Sequence, residues 1–79
     1  MIVDRGLFIM AKIHEQLGNR LQSLRKQKGL TQEALAEEIG LGRSYIAEIE
    51  SGRRNPSLDS LKIIADGLQV SLSKLLSGL

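Results

Sequence analysis

The amino-acid sequence predicts an all-α domain of five helices. Three observations carry that reading. Apolar residues recur at spacings of three and four, no segment alternates apolar and polar residues with period two, and glycines with the single proline punctuate the chain where the periodic stretches end. The 79 residues contain no internal repeat and no low-complexity stretch. A chain of this length has room for one hydrophobic core and not for two.

Residues 1–12 mix Ile2, Val3, Leu7, Phe8, Ile9 and Met10 with Asp4 and Arg5. This N-terminal extension is an extra helical turn on the core, a dimer contact or a frayed end. The domain proper is expected over residues 13–79. Ile13, Leu17, Leu21 and Leu24, spaced by four, four and three, form the inward stripe of the first helix, which Gly29 ends. Thr31 caps the second helix, Gln32 to Ile39, with Glu33 at its positive end and Leu35, Ala36 and Ile39 inward. Gly40 interrupts that segment, and a third helix opens at Arg43, buries Ile46 and Ile49, and stops near Ser51-Gly52. Pro56 pushes Asn55 out of helical geometry. Ser57 then caps a fourth helix whose inward residues are Leu58, Leu61, Ile64, Ala65 and Leu68, ending over Gly67 to Gln69. A last short helix follows Ser71 with Leu72, Leu75 and Leu76.

Composition excludes several classes of function. Eleven Lys/Arg against nine Asp/Glu leave a formal charge of +2, too small to name a partner until the charges are placed. The absence of cysteine rules out a disulfide framework and a thiolate metal site, and suits a reducing cytosol. With Phe8 and Tyr45 as the only aromatic residues there is no platform for stacking unpaired bases, so nucleic-acid binding would have to be to a duplex. The early apolar run, Leu7 to Ala11, is about five residues long, where a secretory core needs roughly 7–15 and a membrane span roughly 20. A soluble, cytoplasmic protein without membrane contact is expected. His14 is the sole histidine, and no ligand cluster, Gly-rich phosphate loop or nucleophile arrangement accompanies it. No enzymatic activity, metal or cofactor is expected.

The stretch Gln32 to Gly52 has the spacing of a helix-turn-helix. With Gln32 as the first position, a small residue (Ala36), a turn glycine (Gly40) and two buried isoleucines (Ile46, Ile49) fall at the fifth, ninth, fifteenth and eighteenth. Arg43, Ser44, Ala47 and Glu48 face away from that buried pair.

These residues, together with Leu24 to Glu33, Ile49 to Leu58 and Leu68 to Leu72, resemble the lambda-repressor-like helix-turn-helix regulators of the XRE or Cro/C1 type. Size and the Arg43-Ser44-Tyr45-Ile46 and Arg54-Asn55 pattern are similar to the small controller proteins of restriction-modification systems. The resemblance covers about Leu17 to Leu76. It implies a five-helix DNA-binding domain whose third helix lies in the major groove of double-stranded DNA.

What the resemblance implies for single residues follows from that pose. Arg43 is the candidate for bidentate contact with a guanine, or else a solvated surface arginine or a phosphate contact. Ser44 reaches a base or a phosphate, or is a local cap. Tyr45 contacts backbone or base, or packs its ring beside the second helix. Glu48 accepts from a cytosine amino group, pairs with a nearby arginine, or, the favoured reading, stands solvated at the groove edge. Thr31 and Gln32 at the start of the second helix, and Arg53, Arg54 and Asn55 after the third, are expected on phosphates. Arg25 and Glu50 are expected to pair across helices one and three. Gly42 departs from the usual cap before the reading helix, at a cost of a few tenths of a kcal/mol.

One such domain reads half a site, so the resemblance implies a twofold homodimer, placed here at Leu72, Leu75, Leu76 and Leu79; the alternative is that Leu72 and Leu75 cap the monomer core and Leu79 is frayed. No segment suggests a sensing domain, and no small-molecule effector is expected. The competing reading is an antitoxin or other protein-interaction module on the same fold. Arg43 with Arg53-Arg54 argues for DNA.

Overall fold

A computed structural model describes residues 4–79. The order of elements is α1 (Arg5–Gln27), α2 (Gln32–Ile39), α3 (Arg43–Glu50), α4 (Leu58–Gly67) and α5 (Leu72–Leu75), with no strand among the described residues. Short polar side chains start most of them. Thr31 accepts from the Ala34 N–H at 3.0 Å, Ser57 from Ser60 at 3.1 Å and Ser71 from Lys74 at 3.0 Å, each satisfying an N–H that the first turn leaves without a helical partner. Gly40 ends α2 with φ at 72°, a left-handed conformation that costs glycine nothing. After α4 the same role falls to Gln69, at φ 58°.

Leu17, Leu21 and Leu24 of α1 meet Leu35 and Ala36 of α2, Ile46 and Ile49 of α3, Ile64 and Ala65 of α4, then Leu68 and Leu75, in a single aliphatic core. α1 packs across α3 with almost no clearance. A Cβ at Gly18 would stand 2.5 Å from the carbonyl oxygens of both Ile49 and Glu50, closer than any real side chain approaches. On the far side, Gly67 of α4 leaves no room for a Cβ beside Ile39. Arg20 donates through Nε and Nη2 to the Lys74 carbonyl, both at 3.2 Å, fastening α5 to α1.

Three expectations need correction. α1 begins at Arg5, eight residues before Ile13, because Asp4 serves as its cap and accepts from the Leu7 N–H at 3.2 Å. Residues 5–12 are therefore continuous with the first helix, while residues 1–3 of the expected extension lie outside the described residues. Ile13 is 38% exposed and Leu58 66%, so neither is the core residue expected of it. The body of the bundle ends near Leu17, and Leu58 lies in the first turn of α4, outside the core. Leu75, expected at a dimer contact, is fully buried in the protomer's own core, whereas Leu72 and Leu76 are half-buried and Leu79 is exposed.

The extents of 46 × 24 × 21 Å follow from α1, whose N-terminal half projects past the other helices with Leu7, Phe8, Ile9 and Met10 in solvent. No helix among the described residues is long and apolar enough to cross a membrane.

Candidate nucleic-acid interface

α2, the Gly40 turn and α3 form a corner whose inner side is Leu35, Ala36, Ile46 and Ile49. Burying Ile46 and Ile49 one turn apart forces the opposite face of α3 outward. That face has Arg43 and Ser44 exposed and Ala47 and Glu48 half-exposed, with Tyr45 at its edge. Gly42 precedes Arg43 in extended geometry and makes no side-chain cap.

The pose of α3 is held from behind. Arg25 donates from Nε to Glu50 Oε2 at 2.6 Å and from Nη2 to Glu50 Oε1 at 2.9 Å, and its Nη1 reaches the Leu30 carbonyl at 2.7 Å. Both residues are buried, and no buried side-chain polar atom among the described residues lacks a partner. The hydrogen bond to Glu50 raises the Arg25 pKa further above its ordinary value, outweighing burial, which acts the other way. A bidentate geometry of this kind fixes orientation as well as distance.

At the start of α2 the Gln32 Nε2 donates to Glu50 Oε1 at 3.1 Å, which ties one of the two amide donors to the ion pair and leaves the other. Thr31 caps α2 as expected, its hydroxyl oxygen accepting from the Ala34 N–H. The first-turn N–H groups left over at that helix start still make an anion-binding end.

The loop after α3 carries Arg53, Arg54 and Asn55, all exposed. Arg53 donates from Nε to the Ser51 hydroxyl at 3.0 Å. Arg54 turns back onto α3, its Nε 3.1 Å from Glu48 Oε2 and its guanidinium carbon 4.9 Å from the centre of the Tyr45 ring. Glu48 is thus paired with an arginine, one of the readings the sequence leaves open, while its side chain, 42% exposed, still meets solvent. The i, i+3 spacing of Tyr45 and Glu48 places them on one edge, a signal in the sequence, but the return of the loop is not encoded in any spacing. No group of three or more potential metal ligands occurs among the described residues.

A helix-turn-helix family model, HTH_3, matches residues 21–75. The chain belongs to the helix-turn-helix family. It is 46% identical over 69 residues to the control protein C.MunI of a Mycoplasma species, covering 86% of this chain and 93% of that protein. Over 57 residues it is 46% identical to the immunity repressor protein of Bacillus phage phi105, covering 72% of this chain and 40% of the repressor. Among solved structures it resembles the restriction-modification controller protein C.AhdI from Aeromonas hydrophila, with TM-score 0.77, 42% identity, and coverage of 78% and 94% of the two chains. The helix-turn-helix chain is accordingly a DNA-binding transcription regulator and not an enzyme. Its all-α architecture is that of the family.

Proposed function

We propose that this helix-turn-helix protein binds a palindromic operator as a homodimer, each protomer laying α3 in one major groove, and controls transcription in the manner of a restriction-modification controller. The observation that carries the reading is the placement of Arg43, Arg53 and Arg54 at the two ends of the outward face of α3. A net charge of +2 is unremarkable until it is seen gathered there. Arg43 and Ser44 take base edges. The α2 start with Thr31 and Gln32, and the loop residues Arg53, Arg54 and Asn55, take phosphates on either side.

Coverage of 93% and 94% of two small control proteins supports the controller role. Leu79, with the half-buried Leu72 and Leu76, supplies the dimer surface at the C-terminal end. Control follows from protein concentration through dimerisation, with no small molecule bound. A twofold pair would present its reading helices about 34–36 Å apart, one turn of duplex.

Selection from a random duplex library tests this directly: the expected product is an inverted repeat bound with steep salt dependence. Recovery of no consensus, or retention that is indifferent to salt, would sink the reading. Sedimentation at tens of micromolar showing only monomer would remove the dimer.

A further inference from the structure

α1 has one apolar stripe along its length, and only half of that stripe is covered. Leu17, Leu21 and Leu24 carry it into the core of the bundle. Counting back from Leu17 by four, three and three residues gives Ile13, Met10 and Leu7, and all six side chains leave the helix within about 60° of Met10. Ile13, Met10 and Leu7 are exposed. A face that is core in one half of a helix and bare in the other has the composition of a buried surface without its cover. The helix-turn-helix match starts at residue 21, so membership of the family does not account for the bare half.

Spacing and charge point to what fits there. Leu7 and Ile13 stand three residues to either side of Met10. A second α1 laid antiparallel, with a twofold axis at Met10, therefore sets Met10 against the partner's Met10 and Leu7 against the partner's Ile13. Between Arg5 and Glu15 the stripe holds no lysine, arginine or acid, so two copies of it meet without like charges in contact. The antiparallel direction also brings the Arg5 end of one arm to the Glu15 end of the other and opposes the helix dipoles, whereas a parallel pair would set Arg5 on Arg5 and Lys12 on Lys12. Two arms spanning residues 5–16, about 18 Å each, would cover on the order of 1,000 Å² in all, the low end for a specific interface and the size of a reversible contact.

We infer that the projecting half of α1 is a self-association surface, on which a second copy of this chain seats its own α1 antiparallel and centred on Met10. Phe8 lies on the far side of the helix from Met10 and stays outside the contact. The surface is separate from the C-terminal leucines proposed for the dimer. It needs no DNA, so this contact and the operator reading fail independently.

The chain has no cysteine, so an introduced thiol reports on one position at a time. Met10→Cys, Phe8→Cys and, on α4, Ile63→Cys are equilibrated at tens of micromolar in a glutathione redox buffer, and disulfide-linked pairs are measured on non-reducing gels. All three native side chains are exposed, so the core is left intact, and far-UV circular dichroism verifies that. Met10→Cys is expected to cross-link roughly ten-fold more than either of the others, because a disulfide needs its Cα atoms within about 7 Å and only a position on the axis meets its own copy. A mixture of Leu7→Cys and Ile13→Cys should link the two variants to each other in preference to either with itself. In sedimentation, Met10→Gln/Ile13→Gln should weaken association roughly ten-fold while Phe8→Gln leaves it unchanged.

Equal cross-linking at positions 8, 10 and 63 would mean chance encounter and overturn the proposal. Preference of Leu7→Cys and Ile13→Cys for themselves over each other would overturn it too, by making the pair parallel. A third refuting result is adsorption to phosphatidylglycerol vesicles that Met10→Gln/Ile13→Gln abolishes while Met10→Cys fails to cross-link, since the stripe would then meet a lipid surface.

Discussion

Arg25 and Glu50 close a two-pronged contact, 2.6 Å and 2.9 Å, between the last turn of the longest helix, α1, and the last residue of α3. Buried pairs of this kind add little over a well-packed apolar pair, but breaking one leaves a charge stranded. Glu50→Ala is therefore expected to cost about 3–5 kcal/mol in urea unfolding, much of the stability of a chain this small. The double variant Arg25→Met/Glu50→Leu should cost less than the single one; an equal or larger loss would refute the argument. The raised Arg25 pKa carries a sign. Its contribution is complete below the ordinary arginine value and is lost only above it, so Arg25 should add no slope to stability between roughly pH 7 and 10.

Gly18→Ala sets two effects against each other. Replacing glycine by alanine inside a helix normally stabilises by about 1 kcal/mol. Here the added Cβ would meet two backbone carbonyl oxygens at 2.5 Å, which cannot swing aside as a side chain could. Overpacking of about 1–3 kcal/mol or more should win, lowering Tm and shifting α3. An unchanged or higher Tm would show that α1 and α3 separate freely.

Gly42→Ser should have the opposite sign. Gly42 already occupies the extended conformation of a cap, makes no capping bond, and has open space where a Cβ would go. A serine hydroxyl there is expected to stabilise by a few tenths of a kcal/mol. Thermal melting resolves the difference, and a loss of stability would contradict it.

Leu7 and Phe8 are 65% and 61% exposed on the projecting half of α1. Leu7→Gln/Phe8→Gln should move the urea midpoint by an amount equivalent to less than about 0.5 kcal/mol per site. A marked drop at dilute protein would mean that these side chains bury something within the protomer.

Arg53→Ala probes the electrostatic part of DNA binding. If Arg53 neutralises one phosphate, the slope of log affinity against log salt falls by about 0.9, equally for all duplexes. Loss of preference at a single base would instead assign Arg53 to readout.

The α2 to α3 corner was legible because each of its demands is local: a cap at Thr31, a small residue at Ala36, a left-handed glycine at Gly40 and an isoleucine pair one turn apart. The start of α1 was not, since the run Leu7 to Met10 has no periodicity and Asp4 as a cap is visible only if the helix is already assumed. Gly18 looks like an ordinary helix interruption in the sequence; its role arises from a carbonyl pair more than thirty positions away. Spacing shows which residues share the outward face of α3, and chain geometry after Gly52 decides that Arg54 joins them. The bond from Gln32 to Glu50 has no signal in the sequence, because its two ends are eighteen residues apart.

The bare carbonyl contact at Gly18 has an evolutionary corollary. α3 is seated against α1 backbone to side-chain-free backbone, and the Arg25 fork keys its rotation, so the helix cannot tilt without disturbing both contacts. If α3 reads DNA as proposed, a change of target preference would come from exchanging residues on its outward face, at 43, 44, 47 and 48, while the mount stays constant. Related chains with different targets should superpose closely at α1 and α3 and diverge at those few positions.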